Sequence, residues 1–254
     1  MKRLKNIGNN VPPIALFFII LAGWQYVVDT KIIARYILPS PSDIVVTGFR
    51  ILPDLKPHIL TTLQEALTGF FIAIILALFL AILMDHFPLA RKALYPLFIV
   101  SQTIPIIVLV PLLVMWFGFD KLPKIIVVIL VCFFPIVVNL LEGLESLDKD
   151  MLNLFKSMKA NYYQIFRFAK FPASLGNFFS GLKIAATYSI MGAVIGEWMG
   201  GKDGLGVYMT RLRQSFAMDK VFSVIVVIVL LSLVLFKLIE FLQYLTMPWT
   251  RETK

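Results

Sequence analysis

The stretch LTTLQEALTGFFIAIILALFLAILM, residues 60–84, decides the fold class. Beyond Glu65 it is an almost unbroken run of apolar side chains, and about 20 such residues in an α-helix cross the roughly 30 Å hydrocarbon core of a bilayer. The rest of the chain agrees, because 59% of the 254 residues are hydrophobic and only 15% are charged, with a mean hydropathy of +0.86. A soluble domain carries about 25% charged residues. The sequence therefore predicts an all-α integral membrane protein.

The same hydropathy window finds six candidate transmembrane helices, which we expect to form a single domain over 1–254. No small-residue cleavage site follows the first of them, so we interpret it as a retained helix and not as a signal peptide. The candidate spans are residues 13–28, 60–84, 94–116, 123–141, 174–199 and 220–247, with a polar segment at 142–173 between the fourth and the fifth.

Prolines are concentrated in the third and fourth spans, where they predict kinked or locally unwound helices. In lipid, irregular backbone persists only where it faces protein or a water-filled path. Prolines are also more common in membrane helices than in soluble ones. Two interpretations therefore stay open: the prolines mark a water-filled path, or they reflect only this general frequency. The residues are Pro96, Pro105, Pro111 and Pro135.

Basic residues are divided almost evenly between the two sides of the membrane. The acid-free start of the chain next to the first span favours a cytoplasmic N-terminus, and six spans then return the C-terminus to the cytoplasm. Lys2, Arg3, Lys5, Arg251 and Lys254 are counted on the inner side, and Lys121, Lys124 and Lys202 on the outer side.

Several function classes are disfavoured by composition. The formal charge of +9 fits contact with anionic headgroups or with the cytoplasm, and we expect no nucleic-acid partner. Cys132 is the single cysteine and lies in an apolar run, so it forms no internal disulfide and reads as a small buried hydrophobe. His58 and His86 lie in opposite loops without metal-ligand spacing. We expect neither a metal, a cofactor nor an enzyme.

Residues 192–206, GAVIGEWMGGKDGLG, place Gly196, Gly201 and Lys202 at the spacing of a phosphate-binding loop. The next residue is Asp203, where such a loop has the Ser or Thr that holds Mg²⁺, and a carboxylate would repel phosphate. We therefore expect no nucleotide site here. The glycines instead predict a flexible outer loop that lets the chain turn back into the membrane.

Ionisable side chains inside the spans cost about 2.5–3.5 kcal/mol each at mid-bilayer, so they tend to face an interior path or a partner. Lys237 and Glu240 are three residues apart and are expected to pair on one helix face. Lys183 either snorkels or faces a path. Glu197 beside the belt residue Trp198 is a candidate solute contact.

The segment MLNLFKSMKANYYQIFRFAKFPASL, residues 151–175, is rich in basic and aromatic side chains. Tyr162, Ile165, Phe166 and Ala169 recur at helical spacing, which predicts a short amphipathic helix over 156–168 that Pro172 stops. A helix of this kind either lies on acidic lipid or docks into a groove on a partner protein. Periodicity leaves both open.

Four stretches together are similar to a known family. LPSPSDIV at 38–45, ALYPLFIVSQTIPIIVLVPLLVMWFGFDKLPKI at 93–125, FFPIVVNLLEGLESLD at 133–148 and GLKIAATYSIMGAVIGEWMGGKDGLGVYM at 181–209 resemble the permease subunit of a bacterial ABC importer of the nitrate, sulfonate, taurine and thiamine-precursor group. The resemblance covers nearly the whole chain. It implies six transmembrane helices with a cytoplasmic coupling helix between helices four and five, the type I importer architecture.

In such permeases the inner loop carries Glu-Ala-Ala, then three residues, Gly, nine residues, Ile, one residue and Leu-Pro. This chain keeps only the proline, Pro172; it has Asn153, Leu154 and Phe155 at the first three positions, Lys159 at the glycine, Ala169 at the isoleucine and Phe171 at the leucine. Lys159 makes the family's tight turn costly, because lysine takes a left-handed conformation less readily than glycine. The resemblance nevertheless implies a docking helix formed by Lys156, Ser157, Lys159, Asn161, Tyr162, Ile165, Phe166, Arg167 and Pro172.

The resemblance also implies the partners. They are ATP-binding cassette ATPase subunits, an extracytoplasmic solute-binding protein, a second permease copy in a homodimer, and the lipid of a bacterial cytoplasmic (inner) membrane. Within the group, residues 196–209 favour a pyrimidine precursor of thiamine over sulfonates, taurine, nitrate or riboflavin. The expected path residues are Pro105, Pro111, Lys183, Ser189, Gly192, Gly196, Glu197 and Trp198.

Two other classes stay open. A secondary transporter should carry inverted repeats with paired broken helices, but the halves 1–127 and 128–254 show no convincing repeat. A membrane-bound scaffold would need no polar groups along an interior path.

Overall fold

A computed structural model describes residues 2–248, with side chains from residue 12 onward. Within that range the chain is helical and contains no β-strand. The α-helices are α1 (Lys2–Asp29), α2 (Pro41–His86), α3 (Pro88–Thr103), α4 (Ile106–Phe117), α5 (Lys121–Glu145), α6 (Lys149–Ser157), α7 (Tyr162–Ile165), α8 (Phe171–Trp198), α9 (Leu205–Gln214) and α10 (Met218–Thr246). The predicted all-α fold is confirmed.

The charges used to orient the chain lie partly beyond this description. Arg251 and Lys254 fall outside the described residues, and so do the side chains of Lys2, Arg3 and Lys5.

Five described helices are long and apolar enough to cross a membrane, and a sixth span results if α3 and α4 are counted together. The apolar part of α1 is Pro12–Asp29, and α7, α8 and the turn between them form one continuous candidate from Tyr162 to Trp198. Helix α2 is longer than the predicted span 60–84, because it begins at Pro41. There the Ser40 hydroxyl accepts the Asp43 N–H at 3.1 Å and caps the helix.

The third span is broken at Pro105. Helices α3 and α4 are bent by 99° at this point, and both Ile104 and Pro105 have extended backbone. Proline forces the residue before it out of the helical region, which explains the break. Pro96, Pro111 and Pro135 instead lie inside continuous helices.

The described chain forms two compact units. The first comprises the residues up to Lys56 together with Tyr208–Val227, and the second comprises Pro57–Val207 and the residues from Ile228 onward. In the first unit the Trp24 indole N–H donates to the Pro39 carbonyl at 3.1 Å. Thr47 donates to Asp219 at 3.1 Å, and the buried Ser223 hydroxyl donates to the Ile44 carbonyl at 2.7 Å.

In the second unit, α5 and α8 lie side by side in close contact. A Cβ atom on Gly192 would come within 2.7 Å of Val131, and one on Gly196 within 3.0 Å of the Lys124 Cα. The small side chains of α8 therefore allow the backbones to approach, as is common between membrane helices. The Sγ of Cys132 also contacts the Ala185 carbonyl at 3.3 Å across this interface.

The prediction of one helix over 156–168 is wrong. Helix α6 ends at Ser157, and Lys159 adopts a left-handed conformation with φ of 55°. The Lys159 N–H bonds to the Lys156 carbonyl and the Ala160 N–H to the Phe155 carbonyl, which is the Schellman ending that usually carries glycine. The tight turn is therefore formed in spite of the lysine.

Pro172 does not stop a helix, contrary to expectation. It lies in the first turn of α8, where a missing N–H costs little. Residues Phe166–Lys170 form a π-helical turn between α7 and α8, in which the Phe171 N–H bonds to the Phe166 carbonyl. This wider turn changes the hydrogen-bond register just before the proline, so that the helical path continues from Tyr162 to Trp198.

Candidate functional site

A buried polar cluster lies where α8 ends and α9 begins. Its centre is Glu197, whose side chain is 1% exposed. Glu197 Oε2 accepts the Gly206 N–H at 2.6 Å, and Oε1 accepts the Thr62 hydroxyl hydrogen at 2.6 Å. The carboxylate thus bonds to the first turn of α9, where free backbone N–H groups favour a negative charge.

Helix α2 supplies the other side of this cluster. Thr62 Oγ1 also accepts the Leu205 N–H at 2.9 Å, and His58 Nδ1 accepts the Gly204 N–H at 3.0 Å. Gly204 has a φ of +124°, and a Cβ there would lie 2.2 Å from the Glu197 carboxyl carbon. This position therefore requires glycine both for its backbone conformation and for space.

An ion pair extends the cluster to α5. Lys124 Nζ donates to Glu65 Oε1 at 3.0 Å, with Lys124 4% exposed and Glu65 fully buried. Lys124 is thus a buried residue of α5 that is paired inside the protein, and its assignment to the outer side stays a prediction. Buried charges need such partners because desolvation of a lone ion is costly.

The end of the loop 199–204 is tied to α2 and α8, because His58, Thr62 and Glu197 bond to the consecutive backbone N–H groups of Gly204, Leu205 and Gly206. Flexibility in the remainder of this loop stays a prediction. Sequence analysis missed Thr62 and His58 as members of this cluster. A signal existed, since His58, Thr62 and Glu65 recur at helical spacing on one face of an otherwise apolar helix.

The expected path residues fall into two groups. Ser189, Gly192, Gly196 and Glu197 are buried inside the chain, and Pro105, Pro111 and Trp198 are exposed, with Lys183 half-buried. Helix packing explains the small buried residues, so their lining of a path stays a prediction. Lys237 and Glu240 pair at 2.6 Å, as expected.

A second polar site ties the segment 149–172, here the coupling segment, to the end of α2. Asp85 accepts the Tyr162 hydroxyl hydrogen at 2.8 Å and pairs with Lys170 at 2.6 Å. The His86 ring packs edge-on against Tyr162 with centroids 4.3 Å apart, and Phe166 stacks on the same tyrosine at 6.2 Å. Tyr162 and Phe166, two aromatic residues of the predicted docking helix, thus contact their own chain.

Other side chains of the coupling segment are more exposed. Met158 is 71% exposed, Phe168 66%, Tyr163 61% and Leu154 56%. Ile165 is half-buried, while Lys156, Ser157 and Arg167 are exposed. Asn161 caps α7 in a reciprocal pair with Gln164, at 2.8 Å in both directions. This capping pair holds α7 directly after the Lys159 turn.

Comparison with known proteins reveals relatives along the whole chain. The chain is 34% identical over 251 residues to the formylaminopyrimidine transport permease protein ThiX of Halalkalibacterium halodurans, covering 98% of this chain and 100% of that protein. It is 31% identical over 239 residues to the riboflavin transport system permease protein RibX of Chloroflexus aurantiacus, covering 93% and 89%. It is 26% identical over 233 residues to the putative aliphatic sulfonates transport permease protein SsuC of Bacillus subtilis, covering 91% and 84%.

Residues 69–252 match the family described as the binding-protein-dependent transport system inner membrane component. This match includes the broken third span, the coupling segment and Glu197 itself, while the α2 residues that bond in its cluster precede the matched range. Together with the relatives it confirms the resemblance read from the sequence. The chain belongs to the family of binding-protein-dependent transport system inner membrane components and is a permease of an ABC importer.

Proposed function

We propose that this permease forms the translocation path for a formylaminopyrimidine or a closely related aminopyrimidine, driven by ATP hydrolysis on separate subunits. The observation that carries the proposal is the alignment with the ThiX permease, which covers 98% of this chain and all of that protein. Relatives with riboflavin and sulfonate in their names are less similar. The chain works as a homodimer in the bacterial cytoplasmic membrane with both termini in the cytoplasm.

The coupling segment is the surface on which the ATPase subunit binds. Its exposed apolar side chains, Leu154, Met158, Tyr163 and Phe168, are more than half exposed, and exposed side chains of this kind supply most of the binding energy when a partner covers them. Lys156, Lys159 and Arg167 add positive charge around them, which steers association. A lipid-bound helix would use the same residues, so association with the ATPase must be measured directly.

Asp85 connects this docking surface to the membrane helices. Because it binds both Tyr162 and Lys170, a displacement of the coupling segment is transmitted to the end of α2. The continuous helical path from Tyr162 to Trp198 gives a second rigid connection, into α8. Motion that starts at the ATPase can thus reach the far end of the membrane through two elements.

The path itself is proposed to run along the broken third span. Pro105 is exposed at the 99° bend and Pro111 is exposed in the helix that follows it, and irregular backbone in a membrane must face protein or water. Between two copies of the chain, these helices would face each other across the two-fold axis. A binding protein delivers the solute at the end of the path opposite the coupling segment.

The experiment is uptake into proteoliposomes that contain the permease together with an ATP-binding cassette ATPase and a solute-binding protein from the same organism. We expect uptake of a radiolabelled formylaminopyrimidine that depends on internal ATP, and little uptake of taurine or riboflavin. The mass of the detergent-solubilised complex should correspond to two permeases and two ATPases. Uptake driven by an ion gradient without the ATPase would contradict the proposal and favour a secondary transporter.

A further inference from the structure

A cavity of about 730 Å³ opens beside the buried ion pair of the second unit. Its walls are Thr61 and Glu65 of α2, Phe119 to Lys121 at the start of α5, Lys124, and the loop 201–203. A volume of this size is typical of pockets that bind small molecules.

Glu65, a residue that lines this cavity, has one carboxylate oxygen without a hydrogen-bond partner. Within the described part of the chain, Glu65 Oε2 is the buried side-chain oxygen or nitrogen without a hydrogen bond. The other oxygen of the same carboxylate already binds Lys124. An unsatisfied buried carboxylate oxygen is costly, so a ligand that donates a hydrogen bond to it would be stabilised.

The basic residues around the cavity are already matched by acceptors. Lys124 pairs with Glu65, and Lys121 Nζ donates to Gln64 Oε1 at 2.8 Å. Three lysines and three acidic residues line the cavity, so its formal charge is balanced: Lys121, Lys124 and Lys202 against Glu65, Asp120 and Asp203. An anion such as a sulfonate therefore meets no excess of positive charge here.

We infer that this cavity is a solute-binding subsite for a small neutral heterocycle that carries an amino donor beside a ring acceptor, as an aminopyrimidine does. The amino group would donate to Glu65 Oε2, and the adjacent ring nitrogen would accept from Lys124 or Lys121, since each ammonium has three donors. The Phe119 ring at the rim, 72% exposed, can stack on the heterocycle. The inference rests on the proposed function, because it presumes that the solute enters the permease.

The position of the cavity suits delivery of a solute. Glu65 precedes Asp85 in the same helix, and at 1.5 Å per residue the two lie roughly 30 Å apart along it. The cavity thus lies at the opposite end of the predicted span 60–84 from the coupling segment, about halfway along α2. A solute released by a binding protein would meet Glu65 before it reached the centre of the membrane.

The test is calorimetric titration of the intact permease–ATPase complex in lipid nanodiscs with 4-amino-2-methylpyrimidine and, separately, with methanesulfonate. We expect the pyrimidine to bind at least tenfold more tightly than methanesulfonate. Glu65→Gln should weaken pyrimidine binding about tenfold or more, because its amide NH₂ would oppose the ligand's donor while its carbonyl still accepts from Lys124. The matched control Glu142→Gln, an exposed residue of α5, should leave binding unchanged.

A second variant tests the cavity independently of the Glu65 carboxylate, in case Glu65→Gln does not fold. Thr61→Tyr should fill the cavity without touching the ion pair, and it too should abolish pyrimidine binding. Wild-type pyrimidine affinity in Glu65→Gln would overturn the inference. If gel filtration shows that Glu65→Gln does not fold, wild-type affinity in Thr61→Tyr would overturn it instead. Tighter binding of methanesulfonate than of the pyrimidine would also overturn it. Normal ATP-driven pyrimidine uptake by both variants would overturn the subsite alone, whereas absent uptake by the wild-type complex would count against the proposed function.

Discussion

Thr62 of α2 donates a 2.6 Å hydrogen bond to Glu197 of α8, although 135 residues separate them in the chain. The same threonine oxygen accepts the N–H of Leu205 at the start of α9. One buried hydroxyl therefore joins three helices. Polar groups in such a position are costly to leave unpaired, so this bond should contribute more to stability than an exposed one.

Replacing Thr62 with valine should lower the free energy of unfolding by about 2 kcal/mol, because the Leu205 N–H and Glu197 Oε1 would each lose a partner. The measurement is the thermal unfolding midpoint of the detergent-solubilised protein. Thr68→Val is the matched control, since Thr68 is exposed and bonds only the Gln64 carbonyl of its own helix. Equal shifts in both variants would show that the Thr62 network adds nothing.

Gly204→Ala should destabilise the protein by about 2 kcal/mol or more, since the new Cβ would need a rare backbone conformation and would collide with Glu197. Gly23→Ala provides the contrast, because nothing lies within 4 Å of the Cβ position there. That control, inside α1, should be neutral or slightly stabilising. A Gly204→Ala protein with the wild-type unfolding midpoint would refute the contact with Glu197.

Lys159→Gly should stabilise the coupling segment by about 0.5–1 kcal/mol, because glycine takes a left-handed conformation without the steric cost that lysine pays. Lys156→Gly should do the opposite, as Lys156 lies in the last turn of α6. Amide hydrogen exchange over 149–165 reports the local stability. Faster exchange in Lys159→Gly than in the wild type would contradict the left-handed turn.

Tyr163→Ala and Phe168→Ala should each weaken association with the ATPase, by about 1–2 kcal/mol, because both side chains are exposed in the coupling segment. Co-purification of the ATPase with the permease measures this loss. Phe166→Ala should have a smaller effect on association, since Phe166 stacks between Tyr162 and Phe171 of its own chain. If Phe166→Ala alone releases the ATPase, Phe166 is the docking anchor and the segment rearranges on binding.

Tyr162→Phe should leave ATPase association intact and lower uptake per ATP hydrolysed, because it removes only the hydroxyl that bonds Asp85. Transport and hydrolysis are measured together in proteoliposomes. Tyr163→Phe is the control, since the Tyr163 hydroxyl contacts Arg167 within the same segment. Unchanged coupling in Tyr162→Phe would remove Asp85 from the proposed connection.

The turn at Lys159 illustrates where sequence reasoning failed in detail. A lysine is unfavourable in a left-handed conformation, so local propensity argued against the family's turn. The structure forms the turn regardless, with Schellman hydrogen bonds before it and the Asn161 cap after it. Two strong capping signals thus override one weak residue preference. The π-helical turn before Pro172 is a similar case, because no periodicity in the sequence predicts it.

The sequence alone determined that the chain lies in a bilayer, that its fold is all-α and that it is a permease of this family. Long apolar runs require a bilayer, helices satisfy their own backbone hydrogen bonds there, and four quoted stretches identified the permease family. Tertiary structure alone decided which polar residues meet. His58, Thr62 and Glu65 share a helix face in the sequence, but their partners Lys124, Glu197 and Gly204 come from distant segments. Such contacts depend on how helices pack against one another, and local periodicity carries no information about that packing.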